Sequence, residues 1–531
     1  MTARTLFSVI KRFALAGLAI ALSACVSTAV ITDNNWPQTK SSVDGFDIEQ
    51  SKRVLLHGLT QISTRALDEP ELDRFVTMGL SGLAEVDPLF SIVETEQRIQ
   101  IYVGAELTSD FLKPIAGTAA QWVDVFHGAV VGARRKSQLL RSANEEQFFY
   151  AFFESALEDL DPYSRYAGRL QARANRETRN GFGGIGMRYA SNDLGIVITG
   201  IQNNAPAYAA GLEIGDIITH IDGLSSSAKR RWTVRRLLRG AIGSESTFTV
   251  IREKLGAALT IKVTRSLIVP PTVDTQIVDN IVVSKIHSFN QQTAQTVDSE
   301  IRRSLAESPS VDGIILDLRG DPGGLLDQAV TVSDLFMETG RIVSTRGRHP
   351  ESVQRYQAFP GDVAEGRPII VLVDSRSASA AEIVAAAIQD SGRGFIVGTS
   401  SYGKGTVQTV IRLPNDGEIT LTWSRFHAPD GYAIQDLGVL PLVCTSGLTG
   451  SVETALETWH TTSSKIASVK AQWRTVPPND IPARSILRTQ CPAEVRPDTS
   501  IDLQIAKSLL SNKVLYAQAL GLTATTEAQQ D

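Results

Sequence analysis

Residues 368–374 form an apolar run that ends in aspartate (PIIVLVD), and residues 380–388 (AAEIVAAAI) follow as an alanine-rich segment. The first pattern is typical of a strand buried on both faces, and the second favours a helix. Together they predict a central strand that leads into a helix, with Ser379 at the junction. Apolar strands alternate with helical segments in this part of the chain, at residues 281–286, 292–306, 313–318 and 325–336. This alternation predicts an α/β core.

The start of a helix is a favourable place for a serine nucleophile. The first N–H groups of a helix have no partner within it, so the amide of Ala380 suits an oxyanion. Lys404 follows Ser379 after 25 residues, between Gly403 and Gly405. A lysine, with an ordinary pKa of about 10.4, acts as a base near pH 7 to 8 only when burial lowers its pKa, at a cost of about 4 kcal/mol. The alternative is a serine that caps a helix and a solvated lysine in a glycine turn.

Three segments resemble motifs of the carboxyl-terminal processing (tail-specific) serine proteases: residues 313–324 (GIILDLRGDPGG), 376–383 (RSASAAEI) and 402–408 (YGKGTVQ). The resemblance implies a Ser–Lys dyad, with Ser379 rather than Ser377 as the nucleophile and Lys404 as the general base. Gln408 would orient the lysine. The spacings, 25 residues from Ser379 to Lys404 and four from Lys404 to Gln408, are those of the family.

The resemblance also implies an oxyanion hole, in which the amide of Gly323 or Gly324 joins that of Ala380. Which glycine donates stays open. Asp321 stands where the family commonly has asparagine, and Arg376 where it usually has glycine. Neither departure removes a reacting group.

Two further residues have a possible place in the site. Asp390 falls at a position that the family often fills with aspartate, but eleven residues of helix place it roughly 16 Å beyond Ser379. We therefore expect Asp390 to support the fold. His427 would be needed for a histidine triad, the commoner way to activate serine, but it resembles a structural strand-and-turn position of the family.

The first residues carry a targeting pattern. Three basic residues precede an apolar stretch of twelve, residues 13–24, which is too short to span a bilayer comfortably and predicts a secretion signal. Residues 22–25 (LSAC) resemble the bacterial lipobox, which implies that Cys25 is acylated and becomes the new amino terminus. Val26 follows, and by resemblance this favours the outer membrane over the inner one. The alternative is an ordinary cleaved signal with an incidental cysteine.

The remaining cysteines, Cys444 and Cys491, would lie in an oxidising periplasm, where we expect them to form a disulfide. The alternative is two buried free thiols. Loss of residues 1–24 changes the net charge from −5 to −8, so charge offers no argument for nucleic-acid binding. No metal-ligand spacing stands out, and the chemistry requires no cofactor.

A second set of segments resembles a PDZ domain: residues 183–187 (GGIGM), 205–218 (APAYAAGLEIGDII) and 221–223 (IDG). In this mode of recognition, backbone N–H groups hold the terminal carboxylate of a peptide that adds as a strand. The carboxylate loop would contain Gly184, Ile185, Gly186 and Met187. Whether the PDZ domain activates or inhibits the peptidase stays open.

The chain of 531 residues, 42% hydrophobic and 21% charged, is large enough for about three globular domains. The predicted division comprises a signal peptide (1–24), a tether (25–45), a helical region (46–180), a PDZ domain (181–268), an α/β peptidase core (269–443), an insertion with the disulfide (444–501), and a helix with a tail (502–531). The family commonly lacks the insertion, whose role the sequence does not indicate.

These observations predict a lipid-anchored periplasmic endopeptidase that recognises carboxyl-terminal tails of proteins or peptides and cleaves through an acyl-enzyme. The alternatives are a catalytically silent PDZ adaptor, or a related hydrolase or ligand-binding protein with the same core. The physiological substrate, an adaptor protein and a homo-oligomeric state stay open.

Overall fold

The computed structural model describes residues 47–227, 229–255, 257–448, 450–497 and 501–523. The predicted signal peptide, the tether with Cys25 and residues 524–531 lie outside the described residues. Within the described ranges, no helix has the length and apolarity needed to cross a membrane. The same ranges contain no cluster of three or more histidine, cysteine or acidic side chains that could hold a metal ion.

The amino-terminal region combines helices with a small sheet. Its helices are α1 (Ile48–Arg65), α2 (Leu72–Ser81), α3 (Ala119–Lys136), α4 (Gln138–Ser142) and α5 (Glu145–Leu160). Between α2 and α3 lies an antiparallel sheet of β1 (Phe90–Glu94), β2 (Arg98–Val103) and β3 (Glu106–Leu112). The prediction of a helical region for residues 46–180 did not include this sheet. Its central strand buries alternate residues, Ile99 and Ile101, which is the period of a strand.

Local sequence explains where the long helices begin. Helices α3 and α5 each start with a capping box, at Thr118 and Asn144, in which the cap side chain and the glutamine three residues later satisfy each other's backbone N–H groups. Their apolar faces meet in the core, where the rings of Phe126 and Phe152 pack edge to face at 5.1 Å between centroids.

A strand and a helix lead to the predicted PDZ region. They are β4 (Arg165–Ala167) and α6 (Arg169–Asn180). The region then contains β5 (Phe182–Gly184), β6 (Met187–Ser191), β7 (Ile196–Ile201), α7 (Pro206–Ala209), β8 (Ile217–Ile221), β9 (Leu224–Ser225), α8 (Arg231–Leu238), β10 (Glu245–Ile251), β11 (Ala258–Thr264) and β12 (Ser266–Ile268). Its sheet has the order β11-β10-β8-β7-β6, and its core buries Ile196, Ile218, Val234 and Phe248. Strands β5 and β12 pair, which brings the two ends of the region together.

The peptidase core contains two sheets. Its elements are β13 (Val273–Val278), β14 (Ile281–Ile286), α9 (Thr293–Glu307), β15 (Gly313–Asp317), α10 (Leu326–Asp334), β16 (Arg341–Arg346), β17 (Gln354–Gln357), β18 (Ile369–Val373), α11 (Ala380–Asp390), β19 (Phe395–Gly398), β20 (Thr406–Arg412), β21 (Glu418–His427) and β22 (Val443–Cys444). The main sheet has the order β13-β14-β15-β18-β19-β22, and its strands run parallel from β14 to β22. The other sheet, β17-β16-β21-β20, is antiparallel and receives β4 from the amino-terminal region.

Helices cover both faces of the main sheet, which explains why its strands are continuously apolar. On one face, Ile314 and Val371 pack in a core with α9, α10 and α11. On the other face, Ile315 and Ile370 pack against the carboxyl-terminal helices. Strand β18 thus lies at the centre of the core and delivers the chain to Ser379.

The segment after β22 is helical and covalently closed. It contains α12 (Val452–Thr475) and α13 (Ile481–Arg488), followed by α14 (Ile501–Ser511) and α15 (Lys513–Gly521). A disulfide joins Cys444 to Cys491. The single helix predicted from residue 502 to about 520 is instead broken at Asn512, because the Asn512 side chain accepts the Leu515 N–H and starts a new helix.

Candidate active site

Ser379 lies where β18 turns into α11. Its φ of 56° and ψ of −112° lie in a region that non-glycine residues seldom adopt and that is concentrated at functional turns. Ser377, two residues earlier, is fully buried; its hydroxyl donates to the carbonyl of Leu318 at 2.8 Å and accepts the Asp374 N–H at 2.9 Å. Ser377 therefore holds the turn together, and Ser379 is the serine left for chemistry.

The glycine pair after β15 approaches this serine closely. A Cβ at Gly323 would lie only 2.9 Å from both the Ala380 nitrogen and the Ser379 Cβ, so this position excludes any side chain. The Gly323 N–H donates to the Asp321 carboxylate at 2.7 Å. By contrast, the Gly324 N–H has no acceptor among the described residues. The Gly323 N–H is therefore already engaged, whereas the Gly324 N–H is available as the partner of Ala380 in an oxyanion hole.

Lys404 is half-buried in the lysine loop, residues 401–405, which precedes β20. Its Nζ lies 4.8 Å from the centroid of the Tyr163 ring. Burial, assisted by the positive charge of Arg165, lowers the pKa of Lys404 from 10.5 to about 8, although the negative charges of Glu382 and Asp161 oppose this shift. This is the direction that a general base working near neutral pH requires.

Glu382 connects the serine to the lysine loop, a role that the sequence analysis did not assign. Its fully buried carboxylate accepts the Ser379 N–H at 2.7 Å and the Lys404 N–H at 3.0 Å with one oxygen. The other oxygen accepts the Gly403 N–H and the Ser401 hydroxyl, both at 2.6 Å. Burial raises the pKa of Glu382, while these four hydrogen bonds oppose the rise. Since every donor points at an oxygen, the geometry fits the ionised carboxylate.

A sequence signal for Glu382 does exist. It stands three residues after Ser379, which is the acidic position of a capping box. That pattern predicts that the glutamate side chain accepts a hydrogen bond from the backbone N–H of Ser379, the residue that caps the helix. It does not predict the bonds to Ser401, Gly403 and Lys404, because these come from a loop about 20 residues away whose approach depends on the tertiary fold.

Gln408 is placed on β20 but bonds to hydroxyl groups. Its Nε2 donates to Thr406 at 2.9 Å and to Thr422 at 3.3 Å. The Thr422 hydroxyl in turn donates to Asp161 at 2.8 Å, one of the carboxylates whose charge acts on Lys404. Through these contacts Gln408 joins the polar surroundings of the lysine indirectly.

Asp390 lies at the far end of α11, buried against the insertion. Its carboxylate accepts a hydrogen bond from Arg474 at 3.1 Å and lies 4.0 Å from the Lys470 Nζ, both on α12. Burial raises the pKa of Asp390 to about 6. These contacts fit a role in attaching the insertion to the helix that begins at Ser379. His427 ends β21, where it pairs with Ser344 and is in a bridge with Ala433.

The predicted carboxylate loop of the PDZ region lines a cavity of about 180 Å³. Gly184, Ile185, Gly186 and Met187 line it, together with Arg235 and Leu238 of α8 and with Arg239, which directly follows α8. A groove between a strand and a helix is the form that strand addition of a peptide requires.

Comparison with known proteins identifies the family. Residues 280–443 match the sequence profile of peptidase family S41, and residues 183–263 match that of a PDZ domain. A carboxy-terminal-processing protease of Bartonella bacilliformis is 35% identical over 325 residues, which is 61% of this chain and 74% of the relative. This chain belongs to the carboxy-terminal-processing proteases of family S41. The recognition made from sequence motifs is thereby confirmed.

Two further matches of this S41 protease have lower identity. The carboxy-terminal processing protease CtpA of Bacillus subtilis is 30% identical over 311 residues, or 58% of this chain and 66% of the relative. The solved structure of the photosystem II D1 C-terminal processing protease aligns at 20% identity over 74% of this chain and 92% of its own, with a TM-score of 0.38. The S41 protease described here is a serine-type peptidase with a PDZ domain and an α/β core, as predicted.

Proposed function

We propose that this S41 protease cleaves peptide bonds near carboxyl-terminal tails through an acyl-enzyme at Ser379, with Lys404 as the general base. The observation that carries the proposal is the position of Glu382. One carboxylate oxygen of Glu382 accepts the backbone N–H of both Ser379 and Lys404. A single buried group thus ties the backbone at the nucleophile to the backbone at the base, which favours the preorganisation that covalent catalysis needs.

In the first step, the Ser379 hydroxyl oxygen attacks the scissile carbonyl carbon, and the neutral Lys404 amine takes the proton of that hydroxyl. The negative charge that develops on the carbonyl oxygen is stabilised by the Ala380 N–H at the start of α11 and by an amide of the glycine loop. The lysine then returns the proton to the leaving amine, which departs and leaves an ester on Ser379. Water, deprotonated by the same lysine, hydrolyses this ester and restores the serine.

Substrate selection is assigned to the PDZ domain. A substrate tail would add beside β6, with its carboxylate at the loop of Gly184 to Met187 and its last side chain in the adjoining apolar pocket. Arg235 and Arg239 line the same cavity. Arg239 pairs with Glu177, so the charge of Arg235 is the one that favours an anionic tail end.

The amino-terminal motif supports a proposed location. Acylation of Cys25 would anchor the mature enzyme at the periplasmic face of a bacterial membrane, the outer membrane rather than the inner. The disulfide between Cys444 and Cys491 supports an oxidising compartment. A Cys25→Ala variant should lose the lipid mass and leave the membrane fraction. Retention of both would contradict the anchor.

The test of the activity uses one unstructured protein with an apolar carboxyl terminus, either free or amidated. Wild type should cleave the free-tailed substrate, whereas Ser379→Ala and Lys404→Ala should lose at least about 1,000-fold in kcat/KM, as expected for members of a catalytic unit. Ser299→Ala and Lys465→Ala, which change exposed residues of the same types, serve as matched controls. Undiminished cleavage by either active-site variant would refute the mechanism. Equal cleavage of the amidated substrate would refute tail recognition.

A further inference from the structure

Helix α13 of the insertion packs on the loop at residues 433–438, and this loop contacts the residues on either side of Lys404. Within it, the Asp436 N–H donates to the Gly403 carbonyl at 2.8 Å, and the Gln435 side chain accepts the Gly405 N–H at 3.1 Å. Arg484 of α13 is buried beneath the loop and donates to the carbonyls of Ala433 and Gln435, both at 2.6 Å. The insertion therefore supports residues 433–438, which in turn contact the lysine loop.

Arg488, one turn further along α13, contacts the lysine loop directly. Its guanidinium donates to the Leu437 carbonyl at 2.6 Å and to the Ser401 carbonyl at 3.1 Å. Two glycines make room for it: a Cβ at Gly403 would lie 3.1 Å from its Nη1, and a Cβ at Gly438 would lie 3.0 Å away. Both glycines have positive φ, 90° and 79°. The two glycines thus allow the backbone segments around residues 401, 403 and 438 and the Arg488 guanidinium to pack closely together.

The contact continues to the catalytic lysine. The Ser401 residue whose carbonyl binds Arg488 also donates its hydroxyl to Glu382, and the same carboxylate accepts the Lys404 N–H. Burial lowers the pKa of Arg488, and the negative charges of Glu382 and Asp436 offset part of this lowering. Arg488 and Lys404 therefore share one counter-charge.

The insertion itself is held firmly. The Cys444–Cys491 disulfide joins the end of β22 to a residue three positions after Arg488. On the preceding helix, the Trp473 ring is buried and its Nε1 donates to the Gly438 carbonyl at 3.0 Å. These contacts fix the end of α13 relative to the main sheet.

We propose that Arg488, presented by the disulfide-closed insertion, is a positioning residue for Lys404. The proposal gives the insertion, which sequence reasoning left without a role, a function in the reaction. It rests on the proposed function of Lys404 as the general base.

The direction of the effect follows from the charges around the lysine. Those facing Lys404 are Arg165 on β4, Glu382 on α11 and Asp161 before β4, with the ring of Tyr163 against the Nζ. Without Arg488, the charge of Glu382 would be less compensated and would favour the ammonium form of Lys404 more strongly. The pKa of the lysine should then rise, and less of it would be the free base at neutral pH.

The experiment measures this proton equilibrium directly. Acetic anhydride is applied briefly from pH 6 to pH 10, and the acetylation of Lys404 is quantified by mass spectrometry in the full-length protein. The wild-type midpoint should lie near pH 8. In Arg488→Ala it should rise by about 0.5 to 1 pH unit, so that kcat/KM at pH 7 falls about 3- to 10-fold and recovers above about pH 9.5.

Three further variants separate charge from packing. Arg488→Gln keeps a donor but removes the charge and should shift the midpoint like Arg488→Ala, whereas Arg488→Lys keeps the charge and should stay within about 0.3 unit of wild type. Lys465→Ala removes a positive charge from the exposed surface of the same insertion and should change nothing. If Arg488→Ala does not fold, Arg488→Gln and Arg488→Lys decide the question.

Two results separate this proposal from the proposed function. If Arg488→Ala and Arg488→Gln both cleave the substrate as fast as wild type and both keep the wild-type Lys404 midpoint, only the role of Arg488 is overturned. The other result is that the Arg488 variants shift the Lys404 midpoint, but the wild-type protein shows no Ser379-dependent cleavage of the free-tailed substrate. This result would overturn the proposed function while supporting the coupling of Arg488 to Lys404.

Discussion

Replacing Glu382 by glutamine tests whether one carboxylate holds the nucleophile and the base together. Glutamine has the same shape, but its amide presents one acceptor oxygen and one NH₂ group to a site where four donors converge. The least disruptive orientation puts the NH₂ group towards Ser401, whose hydroxyl can turn and accept. It leaves the Gly403 N–H facing another donor, because that N–H shares the same oxygen in wild type.

The magnitude follows from these four bonds, which measure 2.6 to 3.0 Å. One buried N–H loses its partner, at about 1–3 kcal/mol, and the bonds of Ser379 and Lys404 lose the assistance of a full charge, about 1 kcal/mol each. Relief of the buried charge offsets part of this loss. We expect a net local cost of about 2 kcal/mol, which corresponds to an about 30-fold larger equilibrium population of the open turn.

Hydrogen exchange of the peptides that contain Ser379 and residues 401–405 measures this opening. The pH dependence of kcat/KM supplies a second reading: loss of the Glu382 charge should lower the pKa of Lys404, so the rising limb should move to lower pH while the plateau falls. Glu457→Gln, at an exposed carboxylate of the insertion, is the matched control. Unchanged exchange together with an unchanged limb in Glu382→Gln would refute the reasoning.

Three other substitutions have defined outcomes. Lys404→Met should abolish activity yet raise the free energy of unfolding at pH 7 by up to about 3 kcal/mol. Burial lowers the pKa of the wild-type lysine, so the cost of burying its charge is complete only below pH 8, and the gain should shrink as pH rises from about 8 to 10.5. Denaturant unfolding at several pH values checks this. The double change Cys444→Ser and Cys491→Ser opens a loop with a sequence separation of 47, so it should lower the free energy of unfolding by about 4 kcal/mol. It should also reduce kcat/KM at pH 7. Equal stability of the oxidised and the reduced wild-type protein would contradict the stabilising role of the disulfide. Asp321→Asn should gain stability relative to wild type as pH rises above about 4. The unfolded-state carboxyl of the wild type ionises there, whereas burial keeps the pKa of the folded Asp321 well above its ordinary value of 3.8. A pH-independent difference in melting temperature would count against this.

The parts of this enzyme that were predicted correctly have strong local patterns. The apolar run at 368–374 predicted β18, and the alanine-rich segment after it predicted α11. The strand predicted at 281–286 is β14 with the same limits. Buried parallel strands need continuous apolar residues, so the main sheet is visible in the sequence itself.

The parts that were missed depend on alternation over short stretches or on contacts between distant segments. Strands β1 to β3 are only five to seven residues long, and only β2 alternates in burial, so the sheet was missing from the predicted helical region. Arg488 bonds to a carbonyl 87 residues away, in the loop before Lys404. No local pattern predicts such a contact, because it exists only after the insertion has docked on the core.

The central claim is that Ser379 is the nucleophile and that Lys404 activates it. A fluorophosphonate, which reacts with activated serines, tests both parts when the labelling rate is followed by peptide mapping from pH 6 to pH 10. We predict a single adduct on Ser379 that forms with a rate rising through a midpoint near pH 8 and that is lost in Lys404→Met. An adduct on Ser377, or labelling of Ser379 that persists without Lys404, would contradict the account.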